Sequence, residues 1–344
     1  LPTNQAWTDA YNKLEKYYTY APKYVDKRKQ RENEIANGSV TDFREFDPDS
    51  LKAKNIPMDI VSPLVFNVNL QPKGTKDNYK IGQWEAEEFL DNVSQAPYVR
   101  NTYGDTLRTD DTWAKESLFD GTRVPMSNGI GIVSNTWNIP AKLYKPDLSV
   151  EIGYASLFNA NLGTGTVTPI DFSNEVAKAW VDTVGVVSND NFYYLKPTQE
   201  SGNPKFEFAL VGSSSNMECS EAEVMSGKYD VYLVMVPNCY LTSTDTIDAD
   251  VKKHVKHKVQ ASIFCNVGQT NGKDKEFKSS VVEYAGEKVD TLLLFQDFEF
   301  PYSYKNLRYC YPTMTITTST TSGDRKNGYT NDICIDRISL KSKD

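Results

Sequence analysis

At 344 residues the chain is long enough for two domains of ordinary size and for a core that needs no disulfide staples. With 39% hydrophobic and 24% charged residues it has the composition of an ordinary folded protein, which argues against disorder, a collagen-like repeat or a cystine-dense miniprotein. A net charge of −8 argues against nucleic acid as a partner and against attraction to anionic lipid.

In chain order, Thr3 and Asn4 are capping residues ahead of Ala6, Trp7, Ala10, Tyr11, Leu14 and Tyr18, whose three- and four-residue spacing predicts one helix with one apolar face. Pro22 ends it, and Lys23 to Glu34 is a charge run that reads as a solvated segment. Pro48, Pro57 and Pro63 punctuate short segments before Leu64 to Leu70, whose β-branched alternation predicts a strand. Trp84 to Leu90 reads as a short helix. Tyr98 to Arg108 reads as two strands joined at Gly104-Asp105, and Ser127-Asn128-Gly129 as a turn feeding the strand Ile130–Val133. A domain boundary is expected within 141–150, giving domains of 1–145 and 146–344.

Beyond it the helical period vanishes. Short runs at Tyr193, Lys205–Val211, Tyr229–Val236, Gln260–Cys265, Leu292–Phe298, Met314–Thr317 and Ile333–Leu340 predict an all-β antiparallel sandwich. Both faces of Tyr229–Val236 are apolar, with Tyr229, Val231, Leu233 and Met235 on one and Tyr232, Val234 and Val236 on the other, so that strand is expected at the sheet centre.

The cysteines, Cys219, Cys239, Cys265, Cys310 and Cys334, stand singly and without a C-x-x-C pair. They read as buried thiols, with one or two disulfides open if the protein is exported. His254 and His257 sit among lysines that would repel a metal cation, so their segment reads as solvated and basic. No nucleophile elbow or phosphate-binding loop is present, and Gly129-Ile-Gly131 and Gly163-Thr-Gly165 read as turns. Glu85, Glu87, Glu88, Asp110 and Asp111 are surface acids, and Asp324 with Asp332 could at most offer loop carboxylates to calcium. No catalytic residue, cofactor or metal site is expected.

The sharper candidates are aromatic. Tyr302 with Tyr304, and Tyr309 with Tyr311, would form two ring pairs on strand faces, either stacking on a sugar or packing across the sheet.

The segment Leu1-Pro-Thr-Asn-Gln-Ala-Trp-Thr-Asp-Ala10 resembles the opening motif of fasciclin domains, and Met126 to Pro140 resembles their second motif, at a fitting separation. The Tyr-His pair of many such domains has no counterpart at Leu64–Leu70, so an adhesive role for that pair does not carry over. The chain opens at Leu1 on the first motif, so the start of that domain, a signal peptide and a lipid anchor are expected upstream. Ser226 to Pro237 and Asn331 to Leu340 are similar to strands of the jelly-roll or galactose-binding-like modules that follow fasciclin repeats in surface lipoproteins of Gram-negative gut bacteria.

The resemblance implies an α+β fasciclin-like domain followed by a β-sandwich. It implies a non-enzymatic adhesion or binding protein, exported and held at the outer membrane or cell surface only by its lipid anchor, with a surface protein or glycan as partner. The alternative is a carbohydrate-binding accessory module of a glycan-uptake system; a third reading is a glycoside hydrolase.

Overall fold

The computed structural model describes residues 1–25, 43–45, 47–75, 78–82, 84–93, 96, 98–102, 106–108, 118–119, 121–151, 158–159, 165–171, 187, 191–197, 205–211, 221–238, 255–265, 276–308, 310–318 and 320–343. The chain divides into two compact units: Leu1–Thr19 with Asp47–Pro146, and Tyr20–Phe46 with Asp147–Asp344. Residues 20–46, assigned from sequence to the first domain, thus belong to the second unit.

In the first unit α1 (Asn4–Glu15) starts at Thr3, whose hydroxyl accepts from the Ala6 N–H, and buries Ala6, Ala10 and Leu14 four residues apart. A second helix, α2 (Pro48–Val61), was not foreseen. The Asp47 carboxylate caps the N–H groups of Asp49 and Ser50, Pro48 takes the first turn where no donor is needed, and Pro57 is carried inside. Lys52 meets Glu15 at 3.1 Å, the Tyr18 hydroxyl donates to Asp59, and the Trp137 indole donates to the Ile60 carbonyl at 3.3 Å.

The strand expected at Leu64–Leu70 is absent, replaced by 3-10 turns at Ser62–Leu64 and Val68–Leu70. Asn67 accepts from the Asn69 N–H at 3.0 Å, and the buried Gln71 amide takes the place of ladder partners. Gln71 donates to the carbonyls of Asn67 and Arg100 and accepts from the Arg100 N–H, all within 2.7–2.8 Å.

The short helix is α3 (Ala86–Asn92), and a one-turn α4 (Ala141–Tyr144) follows later. Val99–Arg100 pairs with Thr106–Leu107, as read from sequence, and the strand read at Ile130–Val133 runs over Gly129–Val133 and pairs across Ser127-Asn128 with Thr122–Met126, a partner that the sequence reading did not include. The N-terminal segment and the segment 126–140 also meet: Pro2 bridges Ser134, and the Thr3 N–H donates to the Ser134 carbonyl at 2.9 Å.

The second unit is built on two six-stranded sheets whose ladders are all antiparallel, with two short pairs beside them, Lys23–Val25 with Phe43–Glu45 and Glu221–Ala222 with Leu307–Arg308. Numbered within the two sheets, the strands are β1 (Leu148–Glu151), β2 (Phe158–Asn159), β3 (Gly165–Asp171), β4 (Asn191–Pro197), β5 (Lys205–Ala209) and β6 (Gly227–Val236). They continue with β7 (His257–Phe264), β8 (Glu276–Lys278), β9 (Val282–Tyr284), β10 (Asp290–Phe300), β11 (Thr313–Thr318) and β12 (Ile333–Ser342). One sheet runs β2-β5-β11-β7-β8 with β9 also on β7. The other runs β3-β4-β12-β6-β10 with β1 also on β12.

As expected, β6 is central, burying Tyr229, Val231, Leu233 and Met235 on one face. Phe298 meets Phe277, Phe295 and Phe300 edge-on with ring centroids 4.7–5.3 Å apart. The early segment contributes Tyr24, fully buried, whose hydroxyl donates to the Ser303 carbonyl at 2.7 Å, and Tyr20, whose hydroxyl donates to the Lys305 carbonyl at 3.2 Å. Cys265, Cys310 and Cys334 are buried free thiols; Cys219 and Cys239 lie outside the described residues. Among the described residues no helix is long and apolar enough to cross a membrane.

Candidate functional site: the outward face of the β6–β12 sheet

Strand β12 is the hinge of this site. Its register against β6 shifts between Val234 and Met235, leaving Asp336 as an extra residue, and the strand pairs with β4 on one side of that bulge and with β1 on the other. Asp336 is buried and takes an ion pair from Arg337, which the shift turns outward with Ser339 and Lys341.

Cross-strand registry then builds rows: Ser149, Ser339, Tyr232 and Leu293 in one, Glu151, Arg337, Val234 and Thr291 in the next. They form a groove of about 330 Å³ floored by Tyr232 and edged by the hydroxyls of Ser149, Ser339 and Thr291, with Asp147, Arg337 and Lys341 at its rim. Further along the same face Val234 and Val236 enter a separate apolar cluster with Phe192, Val289 and Cys334, which confines the polar groove to one end.

Tyr232 is half-buried and its hydroxyl bonds the Asp230 carboxylate. Partial burial alone would raise the Asp230 carboxyl, but the Asp297 N–H at 2.8 Å, the Lys343 ammonium at 2.9 Å and the Tyr232 hydroxyl outweigh it and leave the group below its usual range. Asp297 reaches that position with φ at 51°, within the irregular stretch of β10 opposite β6. Lys343 also meets Asp297 at 2.8 Å; the two carboxylates push its ammonium well above the usual lysine range. At the other rim Lys341 meets Asp147 at 3.0 Å, and the Ser342 N–H donates to the same carboxylate. The aromatic floor is therefore held by a fixed anion beneath its hydroxyl, and the rim charges are held in pairs.

The tyrosines named from sequence are placed otherwise. Tyr304 is fully buried with its ring edge-on to Tyr24 at 5.5 Å, so it belongs to the core and offers no ring to a ligand. Pro301–Tyr304 is a bend after β10 and not a strand, so Tyr302 and Tyr304 do not share a strand face; Tyr302 and Tyr311 are half-buried, and Tyr309 lies outside the described residues.

His257, expected in a solvated segment, is fully buried: β7 turns Lys256 and Lys258 outward and stacks the imidazole on Tyr284 at 5.5 Å. His254, Gly163, Asp110 and Asp111 lie outside the described residues.

Asp324 and Asp332 have separate structural work. Asp324 closes a capping box with Thr321 on the short helix α5 (Ser322–Lys326) and pairs with Lys258 at 2.6 Å, which holds it at about 2. Asp332 accepts from the Tyr194 hydroxyl at 2.8 Å and from the Asn238 amide. Among the described residues no three His, Cys, Asp or Glu side chains gather as a metal site.

The second unit is thus an antiparallel β-sandwich module with a polar, tyrosine-floored groove on one sheet. No family model and no curated protein matches the chain.

Among solved structures it is similar to an N-terminal tandem of CBM22 modules from Paenibacillus barcinonensis, at 8% identity and TM-score 0.34, covering 62% of this chain and 54% of that one. It is also similar to the CBM22-2 xylan-binding domain of the same organism, at 10% identity and TM-score 0.31, covering 57% and 98%. A third is the CBM22-1 and GH10 portion of a Clostridium thermocellum xylanase complexed with xylohexaose, at 8% identity and TM-score 0.33, where this chain covers 28% of that one. These are likenesses of shape at low identity and say nothing of a ligand for this chain.

Proposed function

We propose that the protein binds a glycan on the outward face of the β6–β12 sheet. One observation carries this reading: the half-buried Tyr232 ring floors the groove, oriented by Asp230 and edged by the hydroxyls of Ser149, Ser339 and Thr291. A flat ring stacks on the C–H face of a sugar, while fixed hydroxyls and paired charges answer its hydroxyls, so apolar contact and hydrogen bonding are both supplied by one small site.

Of the sequence expectations, this supports the carbohydrate-binding module over protein-mediated adhesion. Binding is read without catalysis, so the protein should release no reducing ends from a polymer it retains. A fasciclin-like first unit, supported by the meeting of its two motifs at Pro2 and Ser134, and attachment at the cell surface complete the proposal.

A glycan array that includes xylan tests it. The whole chain should bind at least one polysaccharide, Tyr232→Ala should weaken that binding about thirtyfold, as loss of a central aromatic anchor does, and Tyr302→Ala should leave it unchanged. Equal binding by wild type and Tyr232→Ala, with both folded, would remove the site from the account.

A further inference from the structure

The charges around the groove limit which glycans it accepts. Every cation there faces a carboxylate: Lys341 with Asp147 at 3.0 Å, Arg337 with Asp336, and Lys343 with both Asp230 and Asp297. Glu151 adds a further carboxylate opposite Arg337, holding the Ser149 hydroxyl at 3.0 Å.

Asp147, Arg337 and Lys341 line the groove itself; with the neighbouring Lys343 and the carboxylates of Glu151, Asp230, Asp297 and Asp336 beside them, three cations stand among five carboxylates, a balance of −2 within a chain of net charge −8. A uronate or sulfate entering the groove would have to displace a carboxylate from its partner and would meet negative potential on approach. A neutral sugar needs neither, because paired charges present donors and acceptors to hydroxyl groups without attracting an ion.

Resting on the glycan-binding reading, we infer that the groove takes an uncharged glycan and discriminates against acidic polysaccharides. The discrimination lies in the charge pairing and the affinity in Tyr232, so the two are separable by experiment.

Affinity electrophoresis of the whole chain supplies the test, with arabinoxylan, mixed-linkage β-glucan and galactomannan as neutral probes and polygalacturonate and alginate as acidic ones. Retardation is expected with a neutral probe and not with the acidic ones. It should persist as salt is raised from about 0.01 M to 1 M, which shortens the screening length from roughly 30 to 3 Å. Tyr232→Ala should abolish the retardation, and Tyr232→Phe, which keeps the ring and tests whether loss is a folding effect, should keep most of it. Salt-sensitive retardation by an acidic probe would overturn the inference while leaving glycan binding standing. Retardation by neither kind of probe would overturn both.

Discussion

A histidine inside a sheet is tolerated while it stays neutral, and His257 is in that position. Burial lowers it from 6.5 to about 4, and the nearby Thr330 backbone offsets little of this, since neither ring nitrogen makes a hydrogen bond of ordinary geometry. In the unfolded chain the imidazole takes a proton below about 6.5, whereas in the fold it resists until about 4. The unfolded state therefore binds more protons in that window, and stability present above pH 6.5 is lost as the pH falls towards 4, by about 3 kcal/mol in all. Urea midpoints measured across this range should decline for the wild type and decline less for His257→Phe; parallel curves would count against the buried imidazole as the cause. The sequence showed only two histidines among lysines. That His257 points inward follows from strand alternation, a signal that was present in Lys256-His257-Lys258 but outweighed by the surrounding charge.

The same balance between local pattern and tertiary context decides which elements could be read beforehand. The seven strand segments named from sequence beyond residue 190 all lie in or across observed strands, because alternation and β-branched content suffice where a sandwich buries one face. The short pairs at Leu148–Glu151, Glu276–Lys278 and Val282–Tyr284 escaped, being only three or four residues long.

The groove was legible in part. Ile333 and Ile335, then Ile338 and Leu340, change phase around Asp336-Arg337, which is how a bulge looks in sequence, and the alternate Arg337, Ser339 and Lys341 mark the polar side. In sequence Tyr232 shares a face with Val234 and Val236 and reads as apolar, whereas its surroundings come from β12, β1 and β10, strands distant along the chain whose approach no local periodicity encodes. Helix α2 was hidden by its prolines. Pro48 suits a first turn, but Pro57 lies inside the helix, where it withholds a donor and crowds the preceding turn. Pro57→Ala should therefore raise the thermal midpoint of the first unit, by an amount corresponding to about 1–3 kcal/mol. An unchanged or lowered midpoint would show that the helix is already adapted to the ring.

At the scale of the molecule, the domain edge drawn from sequence cuts through the second unit. Composition shifts near residue 146 mark where the main run of the sandwich begins, but they do not reveal that Tyr20 and Tyr24 pack with it. A fragment of 147–344 would lack the ring that packs edge-on against Tyr304 and the donor that satisfies the Ser303 carbonyl. It should melt lower than the sandwich of the whole chain, and a synthetic peptide of residues 20–46 should restore part of the difference. Identical melting with and without the peptide would mean the early segment is dispensable.

The separation along the chain also sets a schedule for folding during synthesis. Tyr24 leaves the ribosome 279 residues before Ser303, the carbonyl it is to meet. At the usual ~5–20 residues per second that interval is roughly 15 to 60 seconds. Throughout it the nascent chain carries the strand Lys23–Val25, which has only its short partner Phe43–Glu45, without the sandwich that its tyrosine packs into, an exposure that a chaperone would have to shield.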